Sequence, residues 1–590
     1  MTAAGPCRWY RLTPDRLILA LLPIEGLLWL SERFRWFPFN EHKGWTVLIA
    51  LASVGVFLFF MLLWLAVAML LRLRFQYGIR SLLLLTLLVA VLCGWLAAER
   101  NQARDQGAMV EEVRRLGGRV EYDCRPDDPF GPPLPPPPAG LSRLLGNDYF
   151  IGVTVVALEN TQVTDAGLEC LKGLTRLQAL RLDGTKVTDK VLEHLKGLTC
   201  LQQLHVNSTP VTDAGLEHVG GLAQLQELWL DGTKVTDAGI AHLKDLANLR
   251  QLFLDRTKIT DAGLAHLKGL TQLQKLHLSF TPITDAGLER LKGLADLQEL
   301  WLQGTKVTDA GLEHLKGLTD LRWLELRETA VTDAGLEHLE KLTHLTALWL
   351  GGTQVTDGGL ARLKEMRQLT SLHLRDTKVT DAGLAHLDKL AWLNQLDLSF
   401  TSITDAGLEH LKEKLWLRWL DLCATQITDG GLVHLRGLAE LRELRLWGTK
   451  VTDVGLKHLG SLPRLQLLML DGTNVTDAGL ECLKSLTRLE RLSLTDTKIT
   501  DAGLARLKGL TQFKALLLSG AKVTDAGLEH LKGLTQLERL SLADTTVTDA
   551  GLEHLMGLAQ LQWLRLRGGK ITDAGVKRLQ QALPNCKIER

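Results

Sequence analysis

Apolar residues along this chain follow a pattern that changes period half way and then starts again. Over residues 225–246, Leu225, Leu228 and Leu230 frame a segment whose intervening side chains alternate outward, as a strand requires. Ile240, Leu243 and Leu246 then recur every three residues, as one face of a short helix does. Thr236 and Asp237 stand between them at a helix N-cap, where side-chain oxygens accept the free amide hydrogens of the first turn. Units that end like Lys268, Gly269 and Leu270 place glycine where a left-handed helix stop is expected. The Thr-Asp pair marks the register, falling at 164–165 and then every 24 residues to 572–573, eighteen copies without insertion or deletion. One strand–turn–helix unit cannot bury its apolar side alone, but stacked neighbours can, with their strands in one parallel sheet. The fold class is therefore α/β, a solenoid.

The repeat, Leu-x-x-Leu-x-Leu-x-x-Thr-x-Val/Ile-Thr-Asp-x-Gly-Leu-x-x-Leu-x-x-Leu, resembles the leucine-rich repeat. Thr233 and its equivalents stand where that family usually carries Asn or Cys, and the Thr-Asp-x-Gly-Leu half is similar to the repeats of F-box-type and ribonuclease-inhibitor-like proteins. The resemblance covers residues 153–584. It implies a curved leucine-rich-repeat solenoid with the parallel sheet on the concave side, short helices on the convex side, and a protein or peptide partner on the concave face. Departures are few: Lys190 and Val191 replace Ala-Gly in the second repeat, and Ala521 and Gly569 replace Thr late in the array.

The front of the chain is a different material. Residues 45–71 and 81–98 carry no charge, and each stretch suits a hydrocarbon core that needs about 20 residues. A third apolar stretch, 17–30, is interrupted by Pro23 and Glu25, so two spans or three are expected in a membrane domain over 1–98. Arg72, Arg74 and Arg80 crowd the loop between the two strong spans, which places that loop in the cytoplasm and the repeats outside. Residues 99–123 read as a charged helix, stopped at Gly117 and Gly118, and a short strand. Residues 124–140 hold eight of the sixteen prolines, a semi-rigid spacer or an SH3-type ligand. Residues 141–152 are expected to cap the first repeat and 585–590 the last. Basic-flanked spans, a helix ending Leu-Gly-Gly-Arg-Val-Glu-Tyr-Asp and then Thr-Asp repeats together resemble a group of bacterial membrane-anchored leucine-rich-repeat proteins.

Composition narrows the chemistry. A formal net charge of +1 gives no bulk electrostatic case for nucleic acid. The eight cysteines form no CxxC pair and lack the spacing of a zinc site. The Thr-Asp ladder repeats identical groups, whereas a catalytic site converges unlike ones, so capping is its expected role rather than a calcium ladder. Twelve of the seventeen histidines sit at one place in the repeat, on the expected outer helical surface, with arginine at the same place in others, which favours a solvated face over a metal array. No phosphate loop, nucleophile elbow or kinase signature occurs, and neither a catalytic residue, a metal site nor a cofactor is expected.

What differs between repeats lies between the leucines. The residue between the second and third leucine of successive repeats is Trp229, Phe253, His277, Trp301, Glu325, Trp349 and His373, and Trp323 joins from the other outward position of its strand. With strands about 4.8 Å apart, Trp229 to Trp349 spans roughly 24 Å. Grouped aromatic side chains on such a wall suit a protein-binding hot spot, the alternative being that they stack on one another and serve only sheet packing. Asp397, Asp421 and Arg445 follow at the same place. The expectation is a non-enzymatic, multi-pass inner-membrane protein presenting its repeats outside the cytoplasm to a protein partner. An F-box-like adaptor of a ubiquitin ligase is the rival, for which no F-box is visible.

Overall fold

A computed structural model describes residues 107–122, 153–568 and 570–590, besides the isolated positions 90 and 94. The candidate spans 17–30, 45–71 and 81–98, the proline-rich segment 124–140 and the expected cap 141–152 lie outside the described residues. Among the described residues no helix is long and apolar enough to cross a membrane.

The chain divides into two compact bodies, Met1–Leu225 and Gln226–Arg590. In the first, a helix over 107–115 buries Met109, Val110 and Val113 and ends at Gly117, which takes a left-handed φ of 82°. Strand β1 (Arg119–Tyr122) then runs antiparallel to β2 (Val153–Ala157), the first strand of the repeats. Gly118 is where helix and repeat meet: a Cβ there would fall 2.6 Å from Leu158 Cδ2 and 2.9 Å from Val113 Cγ1. This turn of chain covers the open edge of the sheet, which would otherwise present unpaired backbone groups. From β2 the strands β3 (Ala179–Arg181) and β4 (Gln203–His205) follow in parallel.

In the second body sixteen three-residue strands run from Glu227–Trp229 to Lys587–Glu589. Each lies parallel to the next with a register of 24 residues, so that Leu300 sits on Leu324 and Leu324 on Leu348. A typical repeat buries Leu321, Leu324, Leu326, Val331, Leu336, Leu339 and Leu342 completely, at about 2 kcal/mol of transfer free energy each. The return leg is one turn of α-helix, Asp309–Leu312 for example, tightened into the 3-10 turn Glu313–Leu315. The array closes on a longer helix, Asp573–Ala582, and the strand Lys587–Glu589.

Three features of the repeat differ from the sequence reading. The Thr of Thr-Asp does sit at the N-cap, but its hydroxyl accepts only a long bond from the amide two residues on, 3.3 Å in the case of Thr332 and Ala334. The Asp does not cap its own helix. Asp333 accepts the Thr356 amide at 2.7 Å on Oδ1 and the Thr356 hydroxyl at 2.5 Å on Oδ2, and the same fork recurs within each body, as at Asp165–Thr188 in the first and Asp549–Thr572 in the second. With both oxygens committed to donors, the aspartates are rivets between repeats rather than ligands. The glycine of Thr-Asp-x-Gly-Leu follows from this fork, because a Cβ on Gly359 would fall 2.5 Å from Asp333 Oδ1 and 2.9 Å from Val355 Cγ1. Val191 holds that place in the second repeat, and the repeat before it forms 3-10 turns over Asp165–Gly173 with no bonded cap.

The left-handed position is also elsewhere. Gly269 has no positive φ, its helix ending on Leu270 at φ −86°, and among the described Lys-Gly-Leu glycines only Gly509, at φ 111°, is left-handed. Instead every repeat turns left-handed four residues before the Thr of Thr-Asp, from Asn160 to Gly568, at φ 53–59° for ten non-glycine residues and 63–81° for eight glycines. One residue on, Thr233 and its equivalents donate to the carbonyl three residues back, 2.7 Å to Leu230, which closes the turn. Ala424, at φ 54°, makes the strain testable. Ala424→Gly is expected to stabilise the protein by up to about 1 kcal/mol in urea unfolding.

One repeat breaks the leucine framework. Lys414 stands where Leu390 and Leu438 do, is 4% exposed, and donates from Nζ to the carbonyls of Leu387 at 2.7 Å and Asp388 at 3.1 Å. The amine thus tethers the end of the preceding 3-10 helix, and burial lowers its pKa.

Candidate functional site: the aromatic face of the sheet

In every strand of the second body except the last, the middle leucine is buried against the helices and the two flanking side chains face away. The 24-residue register then places equivalent flanking residues side by side, and the rings interleave. Trp229 lies 4.1 Å from Phe253, Phe253 4.3 Å from His277, and His277 4.4 Å from Trp301 between ring centroids. Trp301, Trp323 and Trp349 form a triangle of 5.8, 4.9 and 5.8 Å sides, and Trp349 stacks on His373 at 4.5 Å. All seven residues singled out from the sequence are brought together. An eighth, Trp419, continues the column at 5.4 Å from His373. It occupies the outward position just before the second leucine, as Trp323 does, so the same pattern marked it.

The rings are not fully exposed. Stacking half-buries most of them, and Phe253 is 6% exposed. The stack also encloses polar atoms: Trp301 Nε1, Trp323 Nε1, His277 Nε2 and His373 Nε2 have no hydrogen-bond partner among the described residues. Burial, with Lys275 nearby, lowers the His277 pKa to about 4, so its imidazole is neutral at physiological pH. His373 is lowered by burial too, opposed by Asp397, whose Oδ2 lies 3.9 Å from Nδ1.

Glu325 sits in the same column, flanked by Trp301 and Trp349 on the neighbouring strands. Its side chain is fully buried; Oε1 accepts the Arg327 Nε at 2.7 Å and the Arg327 amide at 3.0 Å, while Oε2 has no partner among the described residues. Desolvation raises its pKa against the pull of Arg327, whose guanidinium lies 4.6 Å over the Trp349 ring. Beyond His373 the column turns acidic and then basic. Asp397 Oδ1 accepts the Ser399 amide and hydroxyl at 2.9 and 2.6 Å, and Asp421 accepts the Cys423 amide at 2.9 Å. Arg445 closes it, 3.6 Å from Asp421 Oδ2 and 5.1 Å over Trp419. The face therefore offers a ring column with inward-turned donors, one carboxylate held dry beneath it, and a short charged border. It converges no nucleophile and base.

Comparison with known families agrees with this geometry. A leucine-rich-repeat region model matches residues 147–310, and a leucine-rich-repeat model matches 366–387, 389–412 and 485–508. The chain is a leucine-rich-repeat protein. Solved structures similar to it include an internalin from Listeria monocytogenes, at 25% identity over 53% of this chain and 86% of that one, with a TM-score of 0.45. Another is the ectodomain of the Arabidopsis receptor kinase HAESA in complex with a peptide hormone, at 16% identity over 80% and 82% with a TM-score of 0.43. A leucine-rich-repeat protein of Leptospira interrogans matches at 21% identity over 73% and 95%, with a TM-score of 0.36. No curated protein matches the chain. In this leucine-rich-repeat protein the framework positions are the family's and the aromatic column is what fills the spaces between them.

Proposed function

We propose that this leucine-rich-repeat protein is a non-enzymatic, receptor-like scaffold that binds a protein or peptide through the aromatic face of its sheet. It is anchored in the inner membrane by spans at 45–71 and 81–98, with the repeats outside the cytoplasm. The observation that carries the binding reading is the unbroken ring column from Trp229 to Trp419, in which the Trp301 and Trp323 indole N–H groups are left without acceptors among the described residues. Tryptophan is the residue type most enriched at interface hot spots. The anchoring reading is supported by two charge-free stretches and by the arginines between them.

The binding test is in-cell cross-linking of the full chain, followed by identification of the captured partner. Trp301→Ala, Trp323→Ala and Trp349→Ala combined should abolish that capture while the circular dichroism of the repeats is unchanged. Capture at the native level by the triple variant would remove the aromatic face from the binding site. Protease added to sealed cells should digest the repeats; protection would place them on the other side.

A further inference from the structure

A second group of aromatic side chains lies off the sheet face, on the segment that leads from each helix into the next strand. Trp392 and Trp416 hold equivalent places in adjacent repeats, 58% and 49% exposed, with ring centroids 5.9 Å apart. Nothing in the repeat asks for them. The equivalent place is Gln224, Gln272 and Gln368 in earlier repeats and Gln512, Gln536 and Gln560 in later ones, and no other repeat has an aromatic ring larger than His344 there. Together the two indoles line an open, mostly apolar groove of about 440 Å³ bordered by Thr346, Thr370, Gln368, Asn394 and Arg418. That volume lies in the range of small-molecule sites.

The lining chooses among ligands. The Thr346 and Thr370 hydroxyls each donate at 3.0 Å to a backbone carbonyl of the preceding strand segment, Arg322 and Thr346 respectively. With their protons so committed, both oxygens can only accept from a ligand. Arg418 supplies donors only, and the Gln368 and Asn394 amides supply both. A fitting ligand must therefore both donate and accept around its rim while presenting apolar faces to the indoles. A polyproline helix has no N–H to give the threonine oxygens. A single-stranded nucleic acid needs a positive groove, and here the lining carries one cation and the chain a net charge of +1. A pyranose has C–H groups on its faces and hydroxyls around its edge.

We infer that the open groove lined by Trp392 and Trp416 is a binding site for the pyranose units of a neutral glycan. With centroids 5.9 Å apart the two rings leave no room for a pyranose between them, so each stacks on one face of a sugar unit. Thr346 and Thr370 accept from sugar hydroxyls, and Arg418 and the two amides donate to sugar oxygens. None of its lining residues is a ring of the sheet-face column.

The test is titration calorimetry on the full-length chain with three probes: β-1,4-linked glucose hexasaccharide, β-1,4-linked N-acetylglucosamine hexasaccharide, and a proline decapeptide. At least one saccharide is expected to bind. Trp392→Gln with Trp416→Gln, which installs the residue that six other repeats carry and so leaves the fold intact, should weaken it by roughly ten- to a hundredfold. Asn394→Ala should weaken it less, and Trp301→Ala should leave it unchanged. Binding of neither saccharide, saccharide binding that survives the double variant, or binding of the proline peptide through the two tryptophans in place of sugar would each overturn the assignment.

Discussion

Asp333→Ala is expected to split the unfolding of the repeat array. The carboxylate takes the Thr356 amide and hydroxyl at 2.7 and 2.5 Å, and its loss leaves a backbone N–H unpaired at the junction between two repeats. Charge-assisted bonds of this kind contribute on the order of 1.5–3 kcal/mol each, so the junction should weaken by roughly 3 kcal/mol. In a solenoid each repeat contacts only its neighbours, and a weak interface becomes a boundary between cooperative blocks. Urea unfolding followed by circular dichroism should show two transitions where the native chain shows fewer. Gly359→Ala should destabilise as well, since its new Cβ would lie 2.5 Å from the same carboxylate oxygen. Combined with Asp333→Ala the two effects should fall short of their sum by about 1 kcal/mol, because removing the carboxylate frees the space that the methyl group needs. Strict additivity would show that the glycine serves some purpose other than the fork.

That fork marks the boundary of what the repeat pattern discloses. The 24-residue period is enough to place Leu324 over Leu300 and to set strand, turn and helix inside each repeat, because register follows from spacing alone. It was enough, too, to bring Trp229, Phe253, His277, Trp301, Trp323, Trp349 and His373 onto one face, since side chains between buried leucines must point away from them. A bond between Asp333 and Thr356 is another matter. It joins residues 23 apart, and Thr-Asp also satisfies the local rule for an N-cap, which hides the longer-range role. The left-handed turn is concealed differently: six of its eighteen occupants, Phe280 and Phe400 among them, are neither Gly, Asn nor Asp, which dilutes the signal the other twelve carry.

The state of the aromatic column lay beyond the pattern for a third reason. Outward direction follows from the strand, but exposure depends on how far the next rung's ring leans over, and neighbouring rungs are close enough for rings to cover each other. In the sequence, stacking and binding stand as alternatives. Rings that stack and yet stay half-exposed combine them: the stack fixes the rings in place, and little side-chain entropy remains to be lost when a partner arrives. Trp392 and Trp416 were legible in principle, as two tryptophans at a place that otherwise holds no larger ring than histidine. They escape notice because they lie off the strand.

The fixed stack has an acid-sensitive member. His277 is held between Phe253 and Trp301, where burial lowers its pKa from an ordinary 6.5 to about 4. The unfolded chain therefore binds a proton near pH 6.5 that the folded protein refuses until about pH 4. Across that window the unfolded state holds more protons, so the His277 contribution to stability is present above pH 6.5 and is lost as the pH falls towards 4. A difference of this size corresponds to about 3 kcal/mol when fully expressed. His277→Phe keeps a ring in the stack and removes the proton site. Its stability relative to the native protein, measured by urea unfolding at successive pH values, should be nearly constant above pH 7 and then rise steadily as the pH is lowered. The largest gain should be reached near pH 4, where the native protein has paid the whole penalty of its neutral imidazole. A stability difference that does not change with pH would mean that the imidazole takes up its proton inside the stack, and that the column is open enough to water for His277 to titrate as it does in an unfolded chain.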